Sequence, residues 1–350
     1  MTDMPYFLDT DYLTHVLKDA LHQASPTGMT DGMATLIEQE LLKLGLSSSR
    51  TLRGAVKAVI PGGQSELPAL AFSAHMDTLG AMVRQVKENG RLAVAPIGTW
   101  SARFAEGARV SVIKEDGGAI RGTILPLRAS GHRYSKEVDT QPSDWDNLEV
   151  RLDVDSEQSQ TTLALGIEVG DFVCVDPQPE FNGEYINSRF LDNKAAIASL
   201  LTSVKALMDH QLTPKRDIHL YFTNSEEVGT GAGHIVANNV GDLVAIDLAV
   251  MGPGQSSHPK GVTLAMMDLS GPYNRHLIRD LESVCNAKDI AYSKDIFRYY
   301  YSDTHSATIA GADCRMALIC YACDSSHGWE RTHQQSLLSV SQLAFYMMQR

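Results

Sequence analysis

The chain has 350 residues, of which 43% are hydrophobic, 21% charged and 7% aromatic, as expected for a folded protein of about two domains. Its 30 Lys and Arg residues against 42 Asp and Glu residues give a net charge of −12, so neither nucleic acid nor an anionic membrane surface is expected as a partner. The sequence has no stretch of roughly 18 apolar residues that could span a membrane, and Met1–Pro5 lacks the basic start and apolar core of a secretory signal.

The first 78 residues predict two helices followed by two strands. Apolar residues three and four apart recur on both sides of a turn at Ser25–Gly28, which indicates two amphipathic helices. The apolar positions are Tyr12, Leu13, Val16, Leu17 and Leu21 in the first helix and Met33, Leu36, Ile37, Leu41 and Leu42 in the second. Short β-rich runs follow at Ala55–Ile60 and Leu67–Ser73.

The pattern changes from about Leu79 to Val175. Short apolar segments such as Val110–Ile113 and Ile120–Leu125 alternate with Gly, Asp and Asn, and no long helix is indicated. We therefore expect residues 79–175 to form a small β-rich, barrel-like domain inserted into a larger domain made of residues 1–78 and 176–350.

After the insertion, predicted helices and strands alternate. This alternation is typical of a sheet covered by helices, so the larger domain is predicted to be α/β. The predicted helices lie near Lys194–Met208, from near Gly231, near Tyr273–Asn286 and at Gln335–Met348, and the predicted strands lie at Asp217–Thr223, Leu243–Val250 and Arg315–Tyr321.

Side chains that bind metals follow several of these strands, where open α/β sheets place their ligands. Each has an ordinary explanation alone, because a strand-end Asp often caps a helix and a lone His is usually structural. As a set they match a two-metal hydrolase, in which a bridging carboxylate and two terminal ligands per ion hold two cations about 3.5–4 Å apart. The candidates are His75, Asp77, Asp192, Glu226, Glu227, Asp247 and His327.

The motifs around these residues resemble those of metallopeptidase family 42. This family contains the glutamyl and deblocking aminopeptidases, including tetrahedral TET-type particles, and some members were once labelled endoglucanases. The resemblance extends from the Ser25–Gly28 turn to the last helix and implies a three-layer α/β/α, zinc-exopeptidase-like catalytic domain with an inserted domain. The matching motifs are Ser73–Asp77, Phe190–Lys194, Ser225–Gly229, Ala245–Asp247 and Ser326–Glu330.

The resemblance also implies a set of metal ligands. Asp192 becomes the bridging carboxylate, His75 and Asp247 become terminal ligands of one ion, and Glu227 and His327 become terminal ligands of the other. Mixed imidazole and carboxylate ligation suits Zn²⁺ or Co²⁺, with Mn²⁺ as an alternative. Two divalent ions per subunit are therefore expected.

Two further residues receive roles in catalysis. Glu226 becomes the general base that takes a proton from water and gives it to the leaving amine. Asp77 would accept the N–H of His75, as metal-bound histidines usually require. The expected activity is removal of N-terminal residues from short peptides by a cytoplasmic enzyme that forms dimers through the inserted domain, or a dodecamer of six dimers.

The sequence also departs from the family pattern. Thr78 occupies a position that is usually acidic. The final motif, Ser325–His333, replaces the commoner Tyr-Ile-His-Ser, which leaves His333 as a minor competitor of His327. These changes suggest a subgroup associated with the osmoprotectant N-acetylglutaminylglutamine amide. One alternative function is thus a metal-dependent amidohydrolase of a small N-acylated dipeptide amide, and another is a non-catalytic assembly protein.

Other motifs carry weaker signals. The five cysteines are an odd number in a long chain, which favours free thiols, and the pair Cys320 and Cys323 lacks the second pair of a zinc knuckle. Gly229–Gly233 is expected to turn the chain tightly. The run Arg298–His305 either lines the substrate pocket or belongs to the core, and His132 is expected at the surface.

Overall fold

The computed structural model of the protein describes residues 8–64 and 66–350. These residues form a twelve-stranded mixed sheet covered by helices and a separate closed β-barrel, which confirms the predicted fold class. The strands of the sheet are β1 (Ser48–Arg50), β2 (Val56–Ile60), β3 (Ala69–His75), β10 (Glu180–Asn182), β11 (Tyr185–Ser188), β12 (Ile218–Thr223), β13 (Val240–Met251), β14 (Val262–Asp268), β15 (Gly271–Pro272), β16 (Tyr292–Ile296), β17 (Arg315–Asp324) and β18 (Glu330–His333).

Four parallel strands form the centre of the sheet, in the order β12, β3, β13 and β17. Every residue of β3 and β12 is buried, as expected for apolar strands that are covered on both faces. Because the four strands run in the same direction, their carboxyl ends meet at one edge of the sheet. That edge is where the candidate ligands lie.

One face of the sheet carries five helices. They are α1 (Thr10–His22), α2 (Asp31–Lys43), α7 (Leu191–Asp209), α8 (Arg275–Ala287) and α10 (Gln334–Met348). In α2 the buried stripe contains Met33, Ile37 and Leu41, whereas Leu42, which was expected to be buried, is 72% exposed. Leu42 follows Leu41 by one residue and is rotated by about 100° around the helix axis, away from the core.

The opposite face carries α9 (Asp303–Ile309) and a series of turns. The prediction of a helix from near Gly231 is wrong, because residues 226–235 form turns in which Gly229 N donates to Glu226 O at 2.7 Å. Three glycines in five residues disfavour a helix. Gly231 is required for a close approach, since a Cβ there would lie 2.2 Å from Asp303 Oδ1.

The inserted part is a closed six-stranded antiparallel barrel with its own apolar core. Its helices are short: α3 (Ala102–Ala105), α4 (Gly131–Tyr134), α5 (Glu137–Thr140) and α6 (Ser159–Ala164). Its strands are β4 (Gly80–Val86), β5 (Leu92–Ile97), β6 (Arg109–Ile113), β7 (Ala119–Pro126), β8 (Leu148–Leu152) and β9 (Phe172–Val175). None of the helices in the described ranges is both long and apolar enough to cross a membrane.

Candidate metal centre

The register of the central strands brings three of the candidate positions together. His75 is the last residue of β3 and pairs with Thr223, the last residue of β12, after which the chain reaches Glu226 and Glu227. In β13, Ala245 pairs with Ser73 of β3, so Asp247, two residues further along, is level with His75. These positions therefore follow directly from strand pairing.

Asp192 and His327 reach the same edge through unusual backbone conformations. Phe190, which precedes α7, has φ 67°, and His327 itself, in the turn between β17 and β18, has φ 56°. Ser325 and Ser225 also have positive φ values, of 68° and 65°. Non-glycine residues seldom adopt this left-handed region, and in the interior it is held by surrounding contacts. The segments that carry Asp192, Glu226 and His327 are therefore shaped by tertiary contacts.

The five predicted metal ligands form two groups that share Asp192. In the first, His75 Nε2 lies 3.1 Å from Asp192 Oδ1 and 4.0 Å from Asp247 Oδ2. In the second, His327 Nε2 lies 3.4 Å from Asp192 Oδ2 and 3.6 Å from Glu227 Oε2. Within each group, one ligand atom per residue lies within 4.8 Å of the others. Asp192 thus presents one oxygen to each group, as a bridging carboxylate would.

The chemistry of these residues fits two divalent cations. Glu227 Oε1 is buried without a hydrogen bond, which is costly for a carboxylate oxygen unless a positive partner is present. Asp192, Glu226, Glu227 and Asp247 carry four negative charges when ionised, which two divalent ions would neutralise.

The electrostatics of the carboxylates reflect this concentration of acid groups. Burial raises the pKa of Glu226 and the pKa of Glu227 well above the ordinary value, and neighbouring carboxylates raise them further. Burial and the charge of Asp192 raise the pKa of Asp247 to about 7. Asp192 differs: burial alone would raise its pKa, but its contacts with His327 and His75 lower it.

At the two histidines, the surrounding carboxylates stabilise the protonated form and so act against burial. Burial alone would lower the pKa of His75, but the nearby Asp192, Glu226 and Asp247 raise that pKa well above its ordinary value. Burial likewise opposes the shift at His327, where Asp192 and Glu227 raise the pKa to about 10. The centre therefore attracts positive charge, whether protons or metal ions.

The orientation of His75 differs in detail from the expectation. Its Nδ1 lies 3.0 Å from the main-chain oxygen of Asp77 and 3.7 Å from Asp77 Oδ1, so the carbonyl, not the carboxylate, accepts the N–H. The Asp77 carboxylate instead accepts hydrogen bonds from Thr27 Oγ1 at 2.6 Å, Glu226 N at 3.1 Å and Glu227 N at 3.3 Å. Asp77 thus fixes the main chain of the two glutamates.

The orientation of His327 depends on the barrel. His327 Nδ1 lies 2.7 Å from the main-chain oxygen of Thr99, which follows strand β5. The neighbouring Gly98 has φ 78°, and a Cβ there would lie 2.5 Å from Leu79 Cδ2 and 3.4 Å from Glu227 O. The inserted domain therefore contributes directly to the geometry of the centre.

Three residues around the ligands received no individual role from the sequence. Glu330 accepts main-chain hydrogen bonds from Asp192 and His327, both at 3.0 Å, and burial raises its pKa to about 8. Ser302 Oγ donates to Asp247 Oδ2 at 2.5 Å, and Asp303 accepts from Thr223 Oγ1. The signals available were an acid three residues after a candidate ligand and the undecided run Arg298–His305.

A cavity of about 790 Å³ opens above the ligands, a volume suited to a small organic ligand. Arg298–Tyr301 lines this cavity together with Phe297 and Leu248, whereas Asp303–His305 belongs to α9. The undecided run is therefore divided between the pocket wall and a helix. The carboxylates of the metal centre line the same cavity.

The remaining candidates lie away from the ligands. His333 precedes α10, where its Nδ1 accepts from Gln335 N at 3.1 Å, so it does not compete with His327. His132 is exposed in α4. Cys320 and Cys323 are buried free thiols that pack into different core clusters on the two faces of β17.

The fold and the two ligand groups define a metallopeptidase. A sequence profile of the M42 glutamyl aminopeptidase family matches residues 54–343, and the chain belongs to this family. The protein is therefore a metallo-aminopeptidase, as the sequence motifs indicated.

Individual relatives agree with this assignment. The chain is 33% identical over 335 residues to "Putative aminopeptidase YhfE" of Bacillus subtilis (strain 168), covering 95% of this chain and 96% of that protein. Its fold is similar to the TET aminopeptidase of a Thaumarchaeota archaeon, with a TM-score of 0.86, 16% identity and 97% of each chain covered. It is also similar to Pyrococcus horikoshii TET1 peptidase, described as assembling into a tetrahedron or a large octahedral shell, with a TM-score of 0.85, 22% identity and coverage of 96% and 99%.

Proposed function

We propose that the protein is a two-metal aminopeptidase of short peptides. One ion would be held by His75, Asp192 and Asp247, and the other by Asp192, Glu227 and His327. The observation that carries this proposal is the position of Asp192, which directs Oδ1 toward His75 and Oδ2 toward His327. Zn²⁺ or Co²⁺ suits these ligands, with Mn²⁺ as the alternative.

Glu226 is the proposed general base. Divalent ions in these groups would lower the pKa of a water molecule and polarise the scissile carbonyl. Glu226 belongs to neither ligand group, yet its Oε2 lies 3.8 Å from His75 Nε2. Glu226 lines the cavity, so its carboxylate is available there to accept a proton. Glu226 would take the proton of the attacking water and transfer it to the nitrogen of the leaving amine.

Asp77 acts on this base through the main chain. Its carboxylate holds the N–H groups of Glu226 and Glu227, and Thr27 holds the carboxylate in turn. These contacts keep the ligand Glu227 and the base Glu226 at fixed positions although they are adjacent in the chain.

The proposed substrate has a free amino terminus, which would bind at the metal centre. The metal centre lines the cavity together with Phe297 and Tyr300, which provide apolar and aromatic surface for a side chain. An N-acylated dipeptide amide has no free amine. It is the alternative substrate, and a substrate panel distinguishes it from a peptide with a free amino terminus.

We also propose an oligomeric state and a cellular compartment for the protein. The catalytic part (residues 1–78 and 176–350) and the inserted domain (residues 79–175) would form a dimer through the inserted domain, with a twelve-subunit particle as the larger alternative. The five cysteines are free, which favours the cytoplasm. Light scattering of the metal-loaded protein tests the assembly, because the mass of one subunit at micromolar concentration would contradict it.

Metal analysis combined with a substrate panel tests the activity. The panel pairs aminoacyl anilides with N-acetylated dipeptide amides, because only the first have a free α-amino group. We expect two ions per chain and hydrolysis of the free-amine substrates alone. Hydrolysis of the acetylated amides alone would favour the amidohydrolase, and a single bound ion would contradict the two-metal centre.

A further inference from the structure

We propose that Glu330 is a positioning residue whose carboxylate holds the main chain of both Asp192 and His327. This inference rests on the proposed function, because it assigns Glu330 to the ligand group of Asp192, Glu227 and His327. Glu330 itself belongs to neither ligand group. It would act through the ligands, without contact with metal or substrate.

The proposal is based on the two hydrogen bonds that the Glu330 side chain accepts. Glu330 Oε2 accepts a hydrogen bond from Asp192 N, and Oε1 accepts one from His327 N, each at 3.0 Å. The residue is 1% exposed, so water does not compete for either oxygen. Asp192 and His327 are 135 residues apart in the sequence, and this one carboxylate ties their main chains together.

Strand pairing places Glu330 between the two ligand segments. Glu330 begins β18 and pairs with Ser188, the last residue of β11, four residues before Asp192. On its other edge, β18 pairs with β17, which leads into the turn that carries His327. The side chain therefore lies where the segment before α7 meets the turn after β17.

The segments that carry Asp192 and His327 need such a contact to keep their backbone conformation. His327 has φ 56°, and Phe190, two residues before Asp192, has φ 67°. Residues with a Cβ seldom adopt this conformation without tertiary contacts. Main-chain hydrogen bonds to a buried side-chain oxygen are strengthened by the low dielectric constant of the protein interior. They hold the turns in the form that directs both side chains inward.

The two ligand groups should differ in their dependence on Glu330. His75 and Asp247 lie on the central strands β3 and β13 and are positioned by the sheet. His327 lies in a turn and has its main-chain N–H on Glu330. Loss of one Glu330 hydrogen bond should therefore lower the affinity for the ion held by Asp192, Glu227 and His327 more than the affinity for the other ion.

Glu330→Gln tests this inference with little change in volume. One carboxylate oxygen becomes an NH₂ group, which cannot accept the N–H of Asp192 or His327. Glu149→Gln is the matched control, because Glu149 is also a buried acid, 3% exposed, but pairs with Lys87 and Arg91 in the barrel. Metal content is measured by mass spectrometry after dialysis against buffered Zn²⁺, and kcat/KM is measured over a range of Zn²⁺ concentrations.

We expect two ions per chain in the wild type and in Glu149→Gln. Glu330→Gln should hold one ion tightly and the second with an affinity at least about tenfold weaker, and excess Zn²⁺ should restore much of its kcat/KM. Two ions bound with wild-type affinity in Glu330→Gln would overturn the inference. Fewer than two ions in the wild type would instead contradict the proposed function, so the two failures are distinguishable.

Hydrogen exchange of the metal-free wild type provides a second test that does not require the variant to fold. The amides of Asp192 and His327 should be protected, because both donate to the buried carboxylate. Exchange at His327 as fast as in an unstructured peptide of the same sequence would overturn the inference. Protection at both positions together with selective loss of the second ion would support it.

Discussion

His75 and His327 present the same atom, Nε2, to Asp192, yet different parts of the chain hold them. The Nδ1 of His75 contacts the carbonyl of Asp77, two residues away, and the imidazole is buried at the end of a central strand. The Nδ1 of His327 contacts the carbonyl of Thr99, 228 residues away, and its side chain is 35% exposed. One ligand is fixed by local structure and the other by the meeting of two domains.

This difference predicts which ligand group is more sensitive to changes elsewhere in the chain. We call His75, Asp192 and Asp247 the His75 half of the centre, and Asp192, Glu227 and His327 the His327 half. The His75 half depends on strand pairing, which is part of the stable sheet. The His327 half depends on Glu330 and on the barrel loop that carries Thr99. Changes in the barrel should therefore reach the metal centre through His327 and leave His75 in place.

The largest effect is expected at the residue that the two halves share. Asp192→Ala should lower the occupancy of both metal positions and abolish measurable turnover, because each oxygen of Asp192 faces a different group. His75→Ala and His327→Ala should each empty mainly one position. Metal content per chain checks this, and equal losses in all three variants would contradict the assignment of the bridge.

Glu226→Gln should reduce turnover by at least about a hundredfold while leaving both ions bound. The amide cannot take a proton from water, and general-base catalysis contributes on the order of 10²–10⁴ in rate. Steady-state kinetics on an aminoacyl anilide, combined with metal analysis, measures both quantities. A Glu226→Gln enzyme with near wild-type turnover would show that another group is the base.

A pair of glycine variants tests whether the barrel acts on the His327 half. Gly98 and Gly107 both have positive φ, of 78° and 77°, but only Gly98 has neighbours that a Cβ would strike. Alanine should cost about 1–2 kcal/mol of stability at either position from the backbone conformation. Only Gly98→Ala should displace the Thr99 loop. It should lower the affinity for the ion held by Asp192, Glu227 and His327 by about tenfold.

Thermal unfolding and Zn²⁺ titration distinguish these two variants. A larger loss of stability in Gly98→Ala than in Gly107→Ala, together with a loss of metal affinity in Gly98→Ala alone, is the expected result. Unchanged metal affinity in Gly98→Ala would mean that the barrel loop does not control His327.

The smallest effect is expected at Thr27, which holds the carboxylate of Asp77. Thr27→Val removes one of three hydrogen bonds to that carboxylate and should lower kcat/KM by about threefold to tenfold. Thr202→Val is the control, because the Thr202 hydroxyl bonds to Ala198 O within α7, in the core. Equal effects of the two substitutions would indicate a general loss of stability.

Much of the His75 half could be predicted from sequence. The apolar run that ends at His75 and the α1 periodicity identify elements whose burial follows from local pattern. The metal-type residues at strand ends are the candidate ligands that the structure brings together. The topology of open α/β sheets makes such positions converge.

The His327 half illustrates what sequence patterns do not contain. Strand β18 is short and polar, and its place depends on pairing with β11 and β17, so no periodicity indicated it. The acceptor of His327 Nδ1 is a carbonyl of Thr99, and a main-chain oxygen has no sequence signature. The prediction of a helix from near Gly231 is wrong because Gly229, Gly231 and Gly233 disfavour a helix, and the segment forms turns instead.

Diffraction from crystals of the Zn²⁺-loaded protein at the zinc absorption edge tests the two-metal centre most directly. We predict two anomalous peaks about 3.5–4 Å apart, one bound by His75, Asp192 and Asp247 and the other by Asp192, Glu227 and His327. A single peak, or a second peak that does not contact Asp192, would contradict the account.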